Sequence, residues 1–191
     1  MKDLKEYINE DLVNEASKTK KIQIKSISGK VLFEHECPAN TIRKTVEAAV
    51  KKNIRLDNAN LKGANLKDVN LGWAYLNGAN LERTNLEGAN LERLFLEGAN
   101  LKGANLEGAN MYIAELQGAN LEGANLKNAN LERASLYEAN LCRANMEDAY
   151  LYHTSLYHAN LEGANLKNAF LKNTNLNGAN TKDANMKGAD L

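Results

Sequence analysis

From Leu56 to the C-terminus an apolar residue returns at every fifth position, broken once by Thr181. Of these 28 positions, 24 are Leu, and Met111, Met146 and Met186 fill three more. Two residues before each, 22 of 27 positions are Ala; the exceptions are Val69, Thr84, Leu94, Thr154 and Thr174. One residue before, 19 of 27 are Asn. No insertion breaks the register, and a fixed short period means a repeat architecture. The period excludes a helix. Five residues at about 100° each would spiral the leucines round every side of it. In an extended segment residues two apart point the same way. Ala at −2 and Leu at 0 therefore share an inward face, while −1 and +1 point out. The +2 position must turn a corner. It holds 11 of the 13 glycines, together with Asn58, Asn128, Asn168 and Asn173, and Gly and Asn tolerate positive φ in tight turns.

The exceptions give the number of sides. At −1, Tyr75, Phe95, Glu115, Ser135 and Ser155 form a series spaced by 20, and Tyr150, Phe170 and Asp190 form a second. At +2, Trp73, Arg93, Ile113, Arg133 and His153 follow the same spacing. Four pentapeptides thus make one coil with a roughly square section. Nearly seven coils result, a rod roughly 30 Å long at ~4.8 Å per coil.

Ahead of the repeat the pattern changes. Over residues 3–16, Leu4, Ile8 and Leu12 with Tyr7 make one apolar helical stripe. Ser17 to Lys21 reads as a linker. Ile22, Ile24 and Ile27, then Val31 and Phe33, flank Ser28-Gly29 and predict a β-hairpin. After Pro38, Asn40 or Thr41 can cap a helix over 41–52 that buries Ile42, Val46, Ala49 and Val50. Asn53 suits the residue that ends it. The chain therefore divides into an N-terminal helix and linker (1–19), a hairpin and helix capping the first coil (20–55), and the repeat (56–191). Trp73 and Tyr75 are expected to receive the cap. The rhythm stops at Asp190-Leu191 without one, so the C-terminal coils are expected to meet a partner, most simply a second copy in a homodimer.

The unbroken phrase Ala-Asn-Leu-x-x, seen plainly at Gly98-Ala99-Asn100-Leu101-Lys102, resembles the pentapeptide-repeat protein family over residues 56–191. The resemblance implies an all-β solenoid: a right-handed quadrilateral β-helix of about seven four-sided coils, here with a small α/β N-terminal cap. Residues 20–55 resemble the hairpin-and-helix lead-in of some bacterial and phage members. The resemblance also implies that most members have no known role. A minority bind type II topoisomerases as mimics of DNA.

Composition narrows the chemistry. The 24 basic and 24 acidic residues balance, and no Lys/Arg cluster suggests direct nucleic-acid binding. No run of 18 apolar residues predicts a membrane span, and no apolar signal core is seen. Two distant cysteines, Cys37 and Cys142, fit a reducing cytoplasm. From 82 to 148 there are 11 acids and 6 bases, a modest field for a DNA mimic because Arg83, Arg93, Arg133 and Arg143 interleave. The inward positions are filled by Leu and Ala, which leaves no obvious substrate cavity. Neither an enzyme nor a cofactor is expected. His153 and His158 lack a clear third and fourth metal ligand.

The departures from the repeat are the candidate contact surface. Trp73, Tyr75, Arg93 and Phe95 lie in the early coils, and Tyr112 and Ile113 follow. Late in the chain come Tyr137, Tyr150, Tyr152, His153, Tyr157, His158 and Phe170. The period stacks Tyr137 over Tyr157 and Tyr150 over Phe170. The expected function is a non-catalytic scaffold presenting its outer faces to another protein; the alternative is a DNA-mimic protein that binds gyrase or topoisomerase.

Overall fold

Residues 18–190 are described by the structure, a computed structural model. The helix expected over 3–16 lies outside the described residues.

Strands β1 (Thr19–Lys25) and β2 (Val31–Pro38) form an antiparallel hairpin with Ile24 opposite Phe33. The stretch expected as a linker is thus strand from Thr19 onward. Cross-strand groups explain the extension: the Thr19 hydroxyl donates to Glu36 at 3.0 Å and Lys21 to Glu34 at 3.1 Å. Ile27, expected in the first strand, lies in the turn and is 58% exposed. Gly29 makes that turn at φ +87. Helix α1 (Ile42–Lys51) follows. Thr41 caps it, its hydroxyl accepting the Lys44 amide at 3.2 Å. Asn53 ends it at φ +55, as the αL position requires. Val46 and Ala49 are fully buried.

The cap docks on the first coil. Ser26 bridges Ala59 antiparallel, and the Asn60 amide donates to the Lys25 carbonyl at 2.8 Å. Arg43 reaches the Asp68 carbonyl at 2.9 Å. Leu56, Leu61 and Leu66 are consequently at most 2% exposed. Trp73 and Tyr75 do not receive the cap. They are 59% and 39% exposed on the outside of the rod, and the Tyr75 ring meets Arg55, which follows α1, rather than the hairpin or the helix.

Beyond the cap, the chain is a right-handed quadrilateral β-helix. Parallel one-residue bridges join positions 20 apart on four faces, here named for their first −1 residue: Asn60, Asn65, Asn70 and Tyr75. Each repeat is bonded up and down. The Leu81 amide donates to the Asn100 carbonyl at 2.7 Å, and the Asn80 amide to the Ala59 carbonyl at 2.9 Å. At each corner the amide three residues on returns to the Leu carbonyl, as Ala59 does to Leu56 at 3.0 Å. Positive φ falls on the third residue alone, which makes these type II turns. The corner holds more than Gly and Asn: Trp73, Arg93, Ile113 and His153 adopt φ of 63, 54, 56 and 57. Ile113 is an outlier for a β-branched residue.

The core is a Leu and Ala stack, and each buried Leu contributes about 1.5–3 kcal/mol. Where Thr replaces Ala, its hydroxyl finds a carbonyl 23 residues back. Thr84 donates to Leu61 at 2.9 Å and Thr154 to Leu131 at 2.7 Å. No buried side-chain polar atom among the described residues lacks a partner. The last coil differs: Leu176 and Met186 are half-buried and Thr181 is exposed.

Candidate functional site

The Asn at −1 does two jobs. Its Oδ1 accepts the amide two residues on, as Asn80 does from Glu82 at 3.1 Å and Asn125 from Lys127 at 3.3 Å. Its Nδ2 donates to the Asn of the preceding coil, as Asn125 does to Asn105 at 3.1 Å. The first is a local Asx-type bond, the second a ladder along the rod. On the Asn65 face this ladder is unbroken, and on the Asn60 face it runs from Asn80 to Asn180.

Those two faces also pair their charges. At +1, Lys62 meets Glu82 at 2.8 Å, Lys67 meets Glu87 at 2.8 Å, and Lys102 meets Glu122 at 2.9 Å. Glu147 lies between Lys127 at 3.7 Å and Lys167 at 3.0 Å. The Lys167 hydrogen bond, helped by both lysine charges, holds the Glu147 carboxyl below its ordinary range against desolvation, the second-largest influence on it. Both faces are also fully capped at the amide two residues after each Asn.

The other two are not. On the Tyr75 face the −1 column reads Tyr75, Phe95, Glu115, Ser135, Ser155 before Asn175 resumes the pattern. Near the cap, +1 residues take over the capping: Asp57 Oδ1 accepts the Asn77 amide at 3.1 Å, and Asn77 Oδ1 accepts the Glu97 amide at 2.9 Å. Below that, the amides of Gln117, Tyr137 and Tyr157 find no acceptor among the described residues. On the Asn70 face the same holds for Tyr152 and Lys172, which follow Tyr150 and Phe170.

Aromatic rings occupy the same places. Tyr75 and Phe95 stack at 4.7 Å with 3° between planes, and Arg55 lies over Tyr75 at 4.4 Å. Arg93 lies over Trp73 at 4.3 Å on the adjoining corner. Tyr150 stacks on Phe170 at 4.9 Å, with Tyr152 tilted against the same ring at 5.8 Å. Tyr137 stacks on Tyr157 at 5.7 Å, and His158 meets Tyr157 edge-on at 4.1 Å. Tyr112 accepts from Arg133 at 3.4 Å, and Ile113 is half-buried at its corner. The late aromatics are thus two stacks on neighbouring faces, divided by the corner at His153, rather than one cluster. A hydrogen bond to Glu138 and its charge raise the Tyr137 hydroxyl pKa.

Sequence reading missed Arg55, Asp57, Asn77 and Gln117. Arg55 was within reach, since it precedes Tyr75 by one coil. The Lys/Glu columns were also legible had the period of 20 been applied at +1. No group of three or more His, Cys, Asp or Glu among the described residues could hold a metal ion, and Cys37 and Cys142 are free.

The chain is similar to several known proteins. Among solved structures, HetL, a pentapeptide-repeat protein involved in heterocyst differentiation regulation from the cyanobacterium Nostoc sp. strain PCC 7120, is 34% identical. The match covers 68% of this chain and 71% of that one with a TM-score of 0.41. Rfr23 from the cyanobacterium Cyanothece 51142 is 32% identical over 59% of this chain and 84% of its own, TM-score 0.47. A trypsin-treated form of QnrB1, a plasmid-mediated fluoroquinolone resistance protein, is 19% identical over 69% and 76%, TM-score 0.50. A search of curated proteins finds no match. Pentapeptide repeats match in 8 copies, over residues 54–93, 79–112, 96–128, 114–156 and 154–191. The chain belongs to the pentapeptide-repeat family.

Proposed function

We propose that the rod is a non-catalytic scaffold that binds another protein through its Tyr75 and Asn70 faces. One observation carries this reading. Where the Asn60 and Asn65 faces cap every outward amide at +1, the other two carry uncapped amides beside exposed aromatic rings. Aromatic anchors next to open hydrogen-bond donors are what a partner needs in order to bury a patch with its polar groups paired. Affinity capture tests this with the intact protein, a Tyr152→Ser/Tyr157→Ser variant, and a Glu87→Gln control on the Asn65 face. The aromatic variant should lose a partner that the control keeps. Equal capture by all three would remove the reading.

A second copy is the proposed partner of the last coil. The inward Leu176 and Met186 are half-buried, apolar surface that a second copy could cover. A two-fold contact would place the same edge on both partners. The two free thiols support a reducing compartment, the cytoplasm.

The likeness to QnrB1 extends to the fold alone. Mimicry of DNA needs an unbroken acidic face, and Glu82, Glu87, Glu122 and Glu147 are each neutralised by a lysine one coil away. Gyrase or topoisomerase binding is therefore the secondary reading. Inhibition of supercoiling by the purified protein would promote it over the scaffold reading.

A further inference from the structure

We infer that the notch below Phe95 on the Tyr75 face seats an arginine side chain from an extended segment of a partner protein. The inference rests on the protein-contact reading above and names what one part of that contact takes. The notch, about 440 Å³, is lined by Asn77, Phe95, Glu97, Glu115 and Gln117.

The −1 column of this face is a stack that begins with a cation. The Arg55 guanidinium lies on Tyr75 at 4.4 Å, and Tyr75 lies on Phe95 at 4.7 Å. The stack stops there. The next rung is Glu115, whose carboxylate turns to accept from the Gln117 side-chain amide. One face of the Phe95 ring is covered by Tyr75, and the other side borders the notch.

The chain itself shows twice what such a ring accepts. Arg55 covers Tyr75, and Arg93 covers Trp73 at 4.3 Å. A planar cation is attracted to the negative face of an aromatic ring. At the third ring the cation is missing while its counter-charges are present. Glu97 and Glu115 flank Phe95, and neither has an ion-pair partner among the described residues. This contrasts with Glu82, Glu87, Glu122 and Glu147, each paired with a lysine. A guanidinium can lie flat on the ring and still direct its in-plane donors to carboxylates, which a lysine ammonium does less well.

The surroundings favour a peptide segment over a small free cation. The amides of Gln117, Tyr137 and Tyr157 have no acceptor among the described residues. They lie one coil apart, about 4.8 Å, and form a line of donors that runs away from the notch. A segment anchored by its arginine can offer a backbone carbonyl to the Gln117 amide, at the edge of the notch.

The test is an ¹⁵N-NMR titration of the full chain with three capped peptides, Gly-Ser-Arg-Ser-Gly and its lysine and citrulline counterparts. Citrulline keeps the shape and removes the charge. The arginine peptide should move the amide signals of Phe95, Gln117 and Tyr137. The citrulline peptide should bind at least about tenfold more weakly, with lysine between. Phe95→Leu and Glu97→Gln/Glu115→Gln should each weaken the arginine peptide by about tenfold, while a Glu162→Gln control keeps it. Unchanged circular dichroism confirms that the variants fold. Equal binding of the citrulline peptide, shifts spread over all four faces, or full binding by the double variant would each overturn the seat. Capture lost in the Tyr152/Tyr157 variant without arginine-peptide binding defeats the notch alone. Peptide binding with capture unaffected defeats the scaffold reading alone.

Discussion

Arg93 spreads its guanidinium over the indole of Trp73, 4.3 Å from the ring, across one coil of the rod. Trp73 is the single tryptophan of the chain, so its fluorescence reports on this pair. Arg93→Ala should red-shift the emission and increase acrylamide quenching. Stability should change by less than about 1 kcal/mol, the worth of an exposed cation–π contact. An unchanged spectrum would show that the stack does not form in solution.

The same period that joins Arg93 to Trp73 was open to reading from the sequence. The Leu, Ala and corner columns fixed the coil because burial and turn geometry each demand one residue class. Exposure of Trp73 was not legible. Spacing gives a residue its coil and face, but whether the cap leans over that face depends on how the hairpin docks, and Ser26 bridging Ala59 decides this. The capping done by Asn was half legible: an outward amide that returns once per coil can both donate and accept along the rod, whereas the period says nothing of the bond to the amide two residues on. Without that bond the gaps at Gln117, Tyr137 and Tyr157 could not be noticed.

Asn125 illustrates the cost of losing both jobs. It accepts from Lys127 and donates to Asn105 and Glu107, and Asn145 donates to it. Asn125→Ala should destabilise the rod by about 1–3 kcal/mol, read as a lower denaturant midpoint. Asn185→Ala should cost less, because among the described residues Asn185 donates to Asn165 and accepts from Lys187 but accepts from no further Asn. Equal losses would mean that the axial ladder adds nothing.

The response to pH follows from Glu147 and Lys167. The carboxyl is held below its ordinary range by its bond to Lys167. Its contribution is present above the unfolded value, about pH 4, and is lost as pH falls through the lowered folded value. Lys167 is raised by its bond to Glu147 and then by that charge. Its contribution is present below about pH 10.4 and fades as pH rises through the raised value. The melting temperature should be flat near neutrality and drop at both extremes, less steeply in Glu147→Gln. High salt should shrink the difference, since both half-buried groups still reach solvent. Superimposable profiles would count against the pair.

Two corner glycines separate backbone strain from crowding. Gly98 and Gly178 have φ of 63 and 71. A Cβ on Gly98 meets nothing within 4 Å, whereas on Gly178 it would lie 2.3 Å from the His158 ring. Gly98→Ala should cost roughly 1 kcal/mol, the strain of the left-handed conformation alone. Gly178→Ala should cost more, and His158→Ala should restore the excess in the double variant. Thermal melts of the four proteins test this; additive losses would rule out the clash.

Self-association through the last coil is open to a direct test. Leu176→Lys/Met186→Lys places charge on its half-open inward side. Sedimentation should show a dimer for the parent chain and a monomer for the variant. A parent monomer at high concentration would end the proposal.

The four-sided register has a consequence for how such a chain can change. Bridges join residues 20 apart, so removing one pentapeptide leaves every inward and corner position in phase. Everything downstream is nonetheless turned by a quarter of a revolution. Ser135 and Tyr137 would leave the side that carries Tyr75 and Phe95, and an ordinary Asn face would take their place. Only the loss or gain of a whole coil is silent. The rod therefore behaves like a combination lock, in which a deletion too small to disturb folding is enough to scramble the outward message.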